Sequence, residues 1–447
     1  MEHPGFQTLA SKGARPRPTL ERALGVITVV KSGESTGALL MALNFFVLLS
    51  AYYLLKTVRE ALILAETGAE AKTYSAAGQA LLLLLIVPLF GALASKVNRI
   101  QLIQYVTLFF ISHLAVFFVL GENGVHEGVF YFLWVGIFNV LVIAQFWAFA
   151  NDLYTPEQGK RLFPLIGLGA SLGAWIGAMM AGRLVRDLGP YPLFPIAAAL
   201  LVICILISRY VHRRALHEQP PEKSAAAEKP LGKAGGFTLI LKDRYLLLIA
   251  LLTVLLNVVN TSGEFLLSKM VVEQAEKLFP GEDEMLEARE KYVGEFYGDY
   301  FGWTNLLGLL LQTFAAARIF RLIGVGGTLL IGPGIAMAGY ALMIVSPVLG
   351  LIRVTKILDN SNDYSLQKTA MQALYLPTSR EAKYKAKTAI DTFFMRLGDV
   401  TQAGIVYLGT AMSFSLGIFA VFNLALTAAW LLVAIGLRRQ LKAKTAD

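Results

Sequence analysis

The chain has 447 residues, 56% of them hydrophobic and 16% charged, with a mean hydropathy of +0.58. That balance excludes a soluble globular domain and points to a helical protein that crosses a membrane many times. One cysteine, Cys204, and five scattered histidines exclude a disulfide framework and a thiol or imidazole metal site. The net charge of +9 lies in short loops, which makes it a topology signal and not a nucleic-acid footprint.

Residues 1–35 are polar to mixed, with Lys12, Arg15, Arg17, Arg22 and Lys31 interrupted by Glu2, Glu21 and Glu34. They lack the short apolar core and small-residue cleavage site of a signal peptide, so a cytoplasmic segment is expected, with an amphipathic helix around 18–32. Apolar runs of about twenty residues, enough to cross a hydrocarbon core of roughly 30 Å, then follow one another. They fall near 36–62, 74–95, 100–120, 128–150, 162–183, 190–211, 245–270, 294–318, 324–346, 348–376, 388–412 and 415–437. About twelve membrane-spanning helices are therefore expected in an all-α protein.

The loops alternate in charge. Basic ones are SKVNR (95–99), GKR (159–161), the stretch 213–236, RIFR (318–321), REAKYKAK (380–387) and the tail RRQLKAK. Acidic or uncharged ones are AETGAEA (65–71), GENGVHEG (121–128), FPGEDEMLEARE (279–290) and SFSLG (413–417). Lys and Arg excess marks the cytoplasmic side, so both termini are expected on that side of the membrane. The polar stretch 212–236 divides the chain into a six-helix bundle over 36–211 and a second over 237–437, with a tail at 438–447. Six plus six helices around a cytoplasmic linker resembles the layout of major facilitator transporters, whose substrate site lies between the halves.

Ionisable groups inside spans cost about 2.5–3.5 kcal/mol each on insertion scales, so they face partners or a wet cavity. Lys56, Arg59 and Glu60 share one face of the first span, by lining or by internal pairing. In the seventh, Asn257, Asn260 and Glu264 recur at helical spacing, either as a polar seam or as a lining. The tenth is the least apolar: Arg353, Lys356, Asn360 and Asp363 form a stripe to which Asp359, Gln367 and Lys368 add. Such a segment must be enclosed. The eleventh carries Asp391, Arg396 and Asp399. Together these groups suit a charged, anionic small molecule held by Arg and Lys, with the carboxylates free to bind protons or to neutralise the cations. Gly169, Gly173 and Gly177 lie four apart on one helical face, which should pack closely or line a pathway.

The wording FWAFANDLYTPEQGKRLFPLIGLGA, residues 146–170, resembles the nucleotide transporter family, the TLC-type ATP/ADP translocases of intracellular bacteria and plastids with their free-living bacterial relatives. Phe146, Trp147, Phe149, Ala150, Asn151, Lys160, Arg161, Pro164, Leu165 and Gly167 to Ala170 stand in that pattern. LLKTVREALILAETGAEA is similar to the family's first-span motif, with Lys56, Arg59 and Glu60 in its basic, basic and acidic positions. YLPTSREAKYKAKTAIDTFFMRLGD resembles a late family motif through Lys383, Lys385, Lys387, Ala389, Ile390, Asp391, Arg396, Leu397 and Gly398. The resemblance implies a major-facilitator-like secondary transporter that moves a nucleotide or related anionic phosphate metabolite by alternating access and exchange. It makes the candidate substrate-binding set Lys56, Arg59, Glu60, Asn151, Glu264, Arg353, Lys356, Asn360, Asp363, Asp391 and Arg396.

The departures bear on the substrate. Where phosphate-transporting members carry FDPTKE, this chain reads QKTAMQ, so Lys368, Thr369, Met371 and Gln372 replace the characteristic residues. The family's Lys after RLG is Asp399, and the acid of the fourth span has no counterpart. Two other readings stay open: a facilitator of an unrelated solute, proton-coupled or not, and a transport-inactive receptor or scaffold. No Walker motif, HExxH or paired acidic motif supports an enzyme. Neither cofactor nor metal is expected, and the chain is expected to work as a monomer in the lipid bilayer.

Overall fold

The structure, a computed structural model, describes residues 34–94, 97–218, 236–281, 285–379 and 381–446. The expected helix at 18–32 and most of the expected linker lie outside the described residues. The first half contains α1 (Ser35–Ala94), α2 (Arg99–Glu122), α3 (Gly128–Leu153), α4 (Pro156–Leu188) and α5 (Leu193–Glu218). The second contains α6 (Gly236–Lys242), α7 (Arg244–Leu278), α8 (Leu286–Leu310), α9 (Ala316–Thr328), α10 (Ile331–Val345) and α11 (Leu349–Asn362). It ends with α12 (Lys368–Ala373), α13 (Lys387–Ala389), α14 (Met395–Ala411) and α15 (Leu416–Ala446). Four π-helical turns, 311–315, 363–367, 382–386 and 390–394, interrupt this second half.

Eight helices among the described residues are long and apolar enough to cross a membrane, and Ile331–Val345 is a shorter apolar one. That is fewer than the runs expected from sequence, for two physical reasons. Gly68 (φ +83°) breaks α1, and Gly324 (φ +69°) breaks α9, so adjacent runs are joined through a glycine in place of a loop. The polar tenth and eleventh runs are each divided by a π turn. The last helix also continues to Ala446, past the expected start of the tail, and Lys444 pairs there with Asp243 at 3.2 Å.

Sequence-local chemistry sets the ends of α4. Pro156 follows the N-cap Thr155, whose side chain accepts the Gln158 N–H while Gln158 returns a bond to the Thr155 N–H. Arg161 then grips Glu34 through two bonds of 2.8 Å, fixing this hairpin against the start of α1. Along α4 the glycine stripe packs against α1. A Cβ at Gly169 would lie 2.2 Å from the Ala42 carbonyl oxygen, and one at Gly173 2.2 Å from that of Phe46. In lipid, where no hydrophobic drive holds helices together, this close backbone approach supplies van der Waals packing.

Behind that seam the first half packs an aromatic cluster. Trp134 contacts Phe110, Phe117, Phe138 and Tyr131 at ring-centroid distances of 5.3–5.7 Å. Each such pair contributes roughly 0.5–1.5 kcal/mol beyond its area. In the second half α7 packs on α14 and α15, and α10 on α11 and α15. The halves meet where α4 and α1 face α8, and where α1 faces α7 and α14. Gly182 and Gly298 touch at the α4–α8 crossing. The Gly68 break, the turn before α3, the turn after α4 and the start of α8 gather at one end of the molecule, which also carries the acidic loops. Glu66 reaches Gly128 there, Tyr191 packs on Gly121, and Lys291 lies beside Gly189.

Candidate functional site

Between the halves lies a cavity of about 210 Å³. Both arms of α1 line it with Lys56, Arg59, Glu60, Lys72, Thr73 and Ala76. The second half supplies Asn260, Thr261, Glu264 and Phe265 from α7, Phe301 from α8, Asn360 and Tyr364 from α11 and its π turn, and Asp399 and Gln402 from α14.

The wall from α1 is cationic. Glu60, 1% exposed, receives Arg59 and also Lys72, the latter at 2.7 Å. Arg59 additionally stacks on Phe132, 4.5 Å from its ring centre. Lys72 donates to Ser268 Oγ at 2.9 Å, and that hydroxyl meets the Tyr297 hydroxyl at 2.8 Å, which joins this wall to α7 and α8. Lys56 has no carboxylate within ion-pairing distance among the described residues. Its Nζ lies over the Phe301 ring at 4.0 Å and the Tyr53 ring at 5.2 Å. Three cations against one carboxylate leave this wall with an excess of two positive charges.

The facing wall is built around Glu264. Its Oε1 accepts from the Tyr300 hydroxyl at 2.8 Å and from Asn360 Nδ2 at 2.7 Å. Behind it Lys356, 8% exposed, donates to Asn260 at 2.8 Å and to Asp359 at 2.8 Å, with Glu264 3.9 Å away. On α14, Asp399 pairs with Arg396 at 3.1 Å and accepts from Asn257 at 2.8 Å. A multi-donor cationic wall opposite a hydrogen-bonding wall, with Phe265, Phe301 and Tyr364 between them, can hold a phosphate or carboxylate group beside a flat ring. Charge-assisted hydrogen bonds in such a partly dry cavity are stronger than in bulk water.

Of the residues expected from sequence, Lys56, Arg59, Glu60, Glu264 and Asn360 line the cavity together. Lys356 stands directly behind the wall, and Arg396 reaches the cavity through its pair with Asp399. Asp363 opens the π turn that also carries the lining residue Tyr364. Arg353 lies instead over the Phe296 ring and pairs with Asp299 at 3.4 Å. Asp391 is exposed and pairs with Lys387 at 2.9 Å. Asn151 is exposed at the end of α3, near the hairpin and outside the cavity lining. Lys72, Thr73, Phe301 and Gln402 also line the cavity and stand outside the set expected from sequence. Lys72 carried a signal, since it directly follows the GAEA motif, whereas the neutral residues carried none.

A family model described as "TLC ATP/ADP transporter" matches residues 128–345 and 335–441, together more than half of the chain. The chain belongs to the TLC ATP/ADP transporter family. Curated relatives include an "ADP,ATP carrier protein 1" of Chlamydia muridarum, 25% identical over 379 residues, covering 74% of this chain and 66% of that carrier. An "ADP,ATP carrier protein 5" of Rickettsia bellii is 22% identical over 443 residues, covering 82% and 85%. The chain thus spans just under two thirds of the Chlamydia carrier.

Among solved structures, this TLC family chain resembles an inward-facing bacterial homologue of the iron transporter ferroportin (TM-score 0.63, 12% identity, 90% of this chain and 98% of that one). It also resembles the nucleoside transporter NupG (TM-score 0.59, 13% identity, 90% and 98%). At such identities the likeness is one of fold. This TLC family chain is an all-helical, multi-pass membrane protein whose two halves are arranged as in these transporters.

Proposed function

We propose that the protein is a secondary transporter that moves a nucleotide of the ATP/ADP type, or a closely related phosphate-bearing anion, by alternating access and exchange. The observation that carries this reading is the cationic wall of Lys56, Arg59 and Lys72 around the single carboxylate Glu60, facing a cavity between the halves. Membership in the TLC family and the names of its curated relatives favour the nucleotide among possible anions. Arg59 offers a planar fork to a phosphate, while Lys56 and Lys72 act as point charges. Lys56 rests on aromatic rings until an anion draws it away. A base or similar ring would lie against Phe301, Phe265 or Tyr364. We place the protein in the bacterial inner membrane as a monomer with both termini cytoplasmic, which puts the acidic end outside.

A second reading has one observation of its own. Counted over the whole lining, the three cations meet three carboxylates, Glu60, Glu264 and Asp399. Asp399 also stands where the family pattern has a lysine. A balanced cavity suits a proton-coupled carrier of another solute on the same scaffold. Uptake of labelled ATP and ADP into proteoliposomes decides between them. Exchange that requires internal nucleotide supports the nucleotide reading, and a folded preparation that moves neither nucleotide under any gradient overturns it.

A further inference from the structure

Three carboxylates that the cavity does not use meet at the acidic end of the molecule. Glu66 lies just before the Gly68 break, Glu127 precedes α3, and Glu290 sits in the first turns of α8. They come from both halves. Glu66 Oε2 accepts the Gly128 N–H at 2.7 Å, which brings it beside Glu127. Gly294, one turn further along α8 than Glu290, lies against Ala61 and Val185, so Glu290 is held near the arm of α1 that carries Glu66.

Glu127 and Glu290 are each only 2% exposed. Both oxygens of Glu127, Oε1 of Glu290 and Oε1 of Glu66 are buried without a hydrogen-bond partner. Among the described residues no cation forms an ion pair with Glu66, Glu127 or Glu290, and the basic group that acts on Glu66 is the exposed His126. Lys291 is taken by Glu287 at 2.7 Å, and Arg186 by Asp187 and Glu295 at 2.9 and 3.2 Å. Glu122 at the end of α2 is a further acid, His126 is exposed, and Tyr131 and Tyr191 bring phenols. Three-acid metal geometry is absent among the described residues. A carboxylate buried with neither cation nor donor, as Glu127 is, is so unfavourable that it takes up a proton, and Glu290 and the half-satisfied Glu66 beside it can share that proton.

We propose that Glu66, Glu127 and Glu290 form a proton-binding latch that holds the acidic end of the two halves closed. Protonated carboxyls can stay buried and share hydrogen bonds across the interface. Opening this end hydrates them, and each bound proton leaves to the water on that side as the carboxylate forms. The latch is independent of which solute occupies the cavity. In keeping with this, the Glu127 carboxyl is pushed up to about 8, first by burial and then by the Glu66 carboxylate. A carboxyl raised in the closed state favours closure fully below its hydrated value of 4.5 and loses that contribution as pH rises through about 8.

The test uses the full chain, with Cys204→Ser, in liposomes, and spin labels at Leu188→Cys and Leu278→Cys, both exposed and on opposite halves near this end. Label distances are measured by pulsed electron resonance from pH 6 to pH 8.5. The expected result is a short distance at pH 6 and a longer population at pH 8.5, with the open-to-closed ratio rising about tenfold or more. Glu127→Gln and Glu290→Gln, which mimic the protonated acids, should keep the short distance at pH 8.5. Distances that do not respond to pH in the parent overturn the proposal without any variant. So does a pH response that persists unchanged in both Gln variants.

Discussion

Lys56→Gln is the cleanest probe of the cavity, because this lysine is held by rings and removing it strands no carboxylate. At an effective dielectric of about 20, a phosphate charge about 4 Å from the ammonium contributes about 4 kcal/mol. Leaving the Phe301 and Tyr53 rings takes back about 1 kcal/mol. Ordering the long side chain takes about 1 kcal/mol more. A net of about 2 kcal/mol remains, which corresponds to roughly thirtyfold in Kd for ATP or ADP. Stability should stay level or rise, since an unpaired cation leaves a partly buried site. The assay is isothermal titration of nucleotide into the purified protein, with thermal melts run in parallel. A Kd within threefold of the parent, with an unchanged Tm, would refute the anion site.

The remaining predictions probe the same interface from other sides. Asp399→Asn removes a cavity carboxylate and frees Arg396, so nucleotide affinity should rise about three- to tenfold, most clearly at low salt; a fall in affinity would mean that Asp399 orders the site. Gly173→Ala forces α4 away from the Phe46 carbonyl and should cost about 1–3 kcal/mol, read as a lowered Tm. Gly167→Ala on the same helix meets nothing within 4 Å and should be neutral or stabilising by up to about 1 kcal/mol, so equal melting losses for the two would contradict the packing described. Glu70→Gln removes the 2.8 Å pair with Lys269 that joins α1 to α7. Being about a third exposed, that pair contributes roughly 0.2–1 kcal/mol, and label distances should show at most a fivefold gain in the open population.

The all-helical, two-half organisation was legible because hydropathy and loop charge are long-range signals that survive errors of several residues. Lys56, Arg59 and Glu60 were legible because they share a face of an unbroken helix. Helix periodicity does not reach Lys72, although it pairs with Glu60, because the helical face stops at a break, and only its place directly after GAEA marks it. The chain turns back at Gly68 and returns Lys72 to a residue twelve positions earlier. Asn151 entered through motif wording alone, which records a shared hairpin and does not tell a cavity residue from a surface one. Asp391 lies within the π turn 390–394, where an extra residue per turn shifts side chains around the helix relative to an unbroken α-helix.

The charged tenth run shows where composition stops being informative. Its polarity demanded enclosure, and the structure encloses Lys356 and Asn360. Yet of Arg353, Lys356, Asp359, Asn360, Asp363, Gln367 and Lys368, only Asn360 lines the cavity. Lys356 neutralises Asp359 and steadies Asn260, while Arg353 is spent on Asp299 and the Phe296 ring. A helix that lines water and a helix that pairs its charges internally leave the same stripe in sequence, because insertion penalises an unpaired charge in either case. The positions that differ are set by neighbours on other helices. Partner geometry therefore separates a substrate contact from its support, and Lys56 stands out because, among the described cations of the lining, it alone rests on rings without a carboxylate.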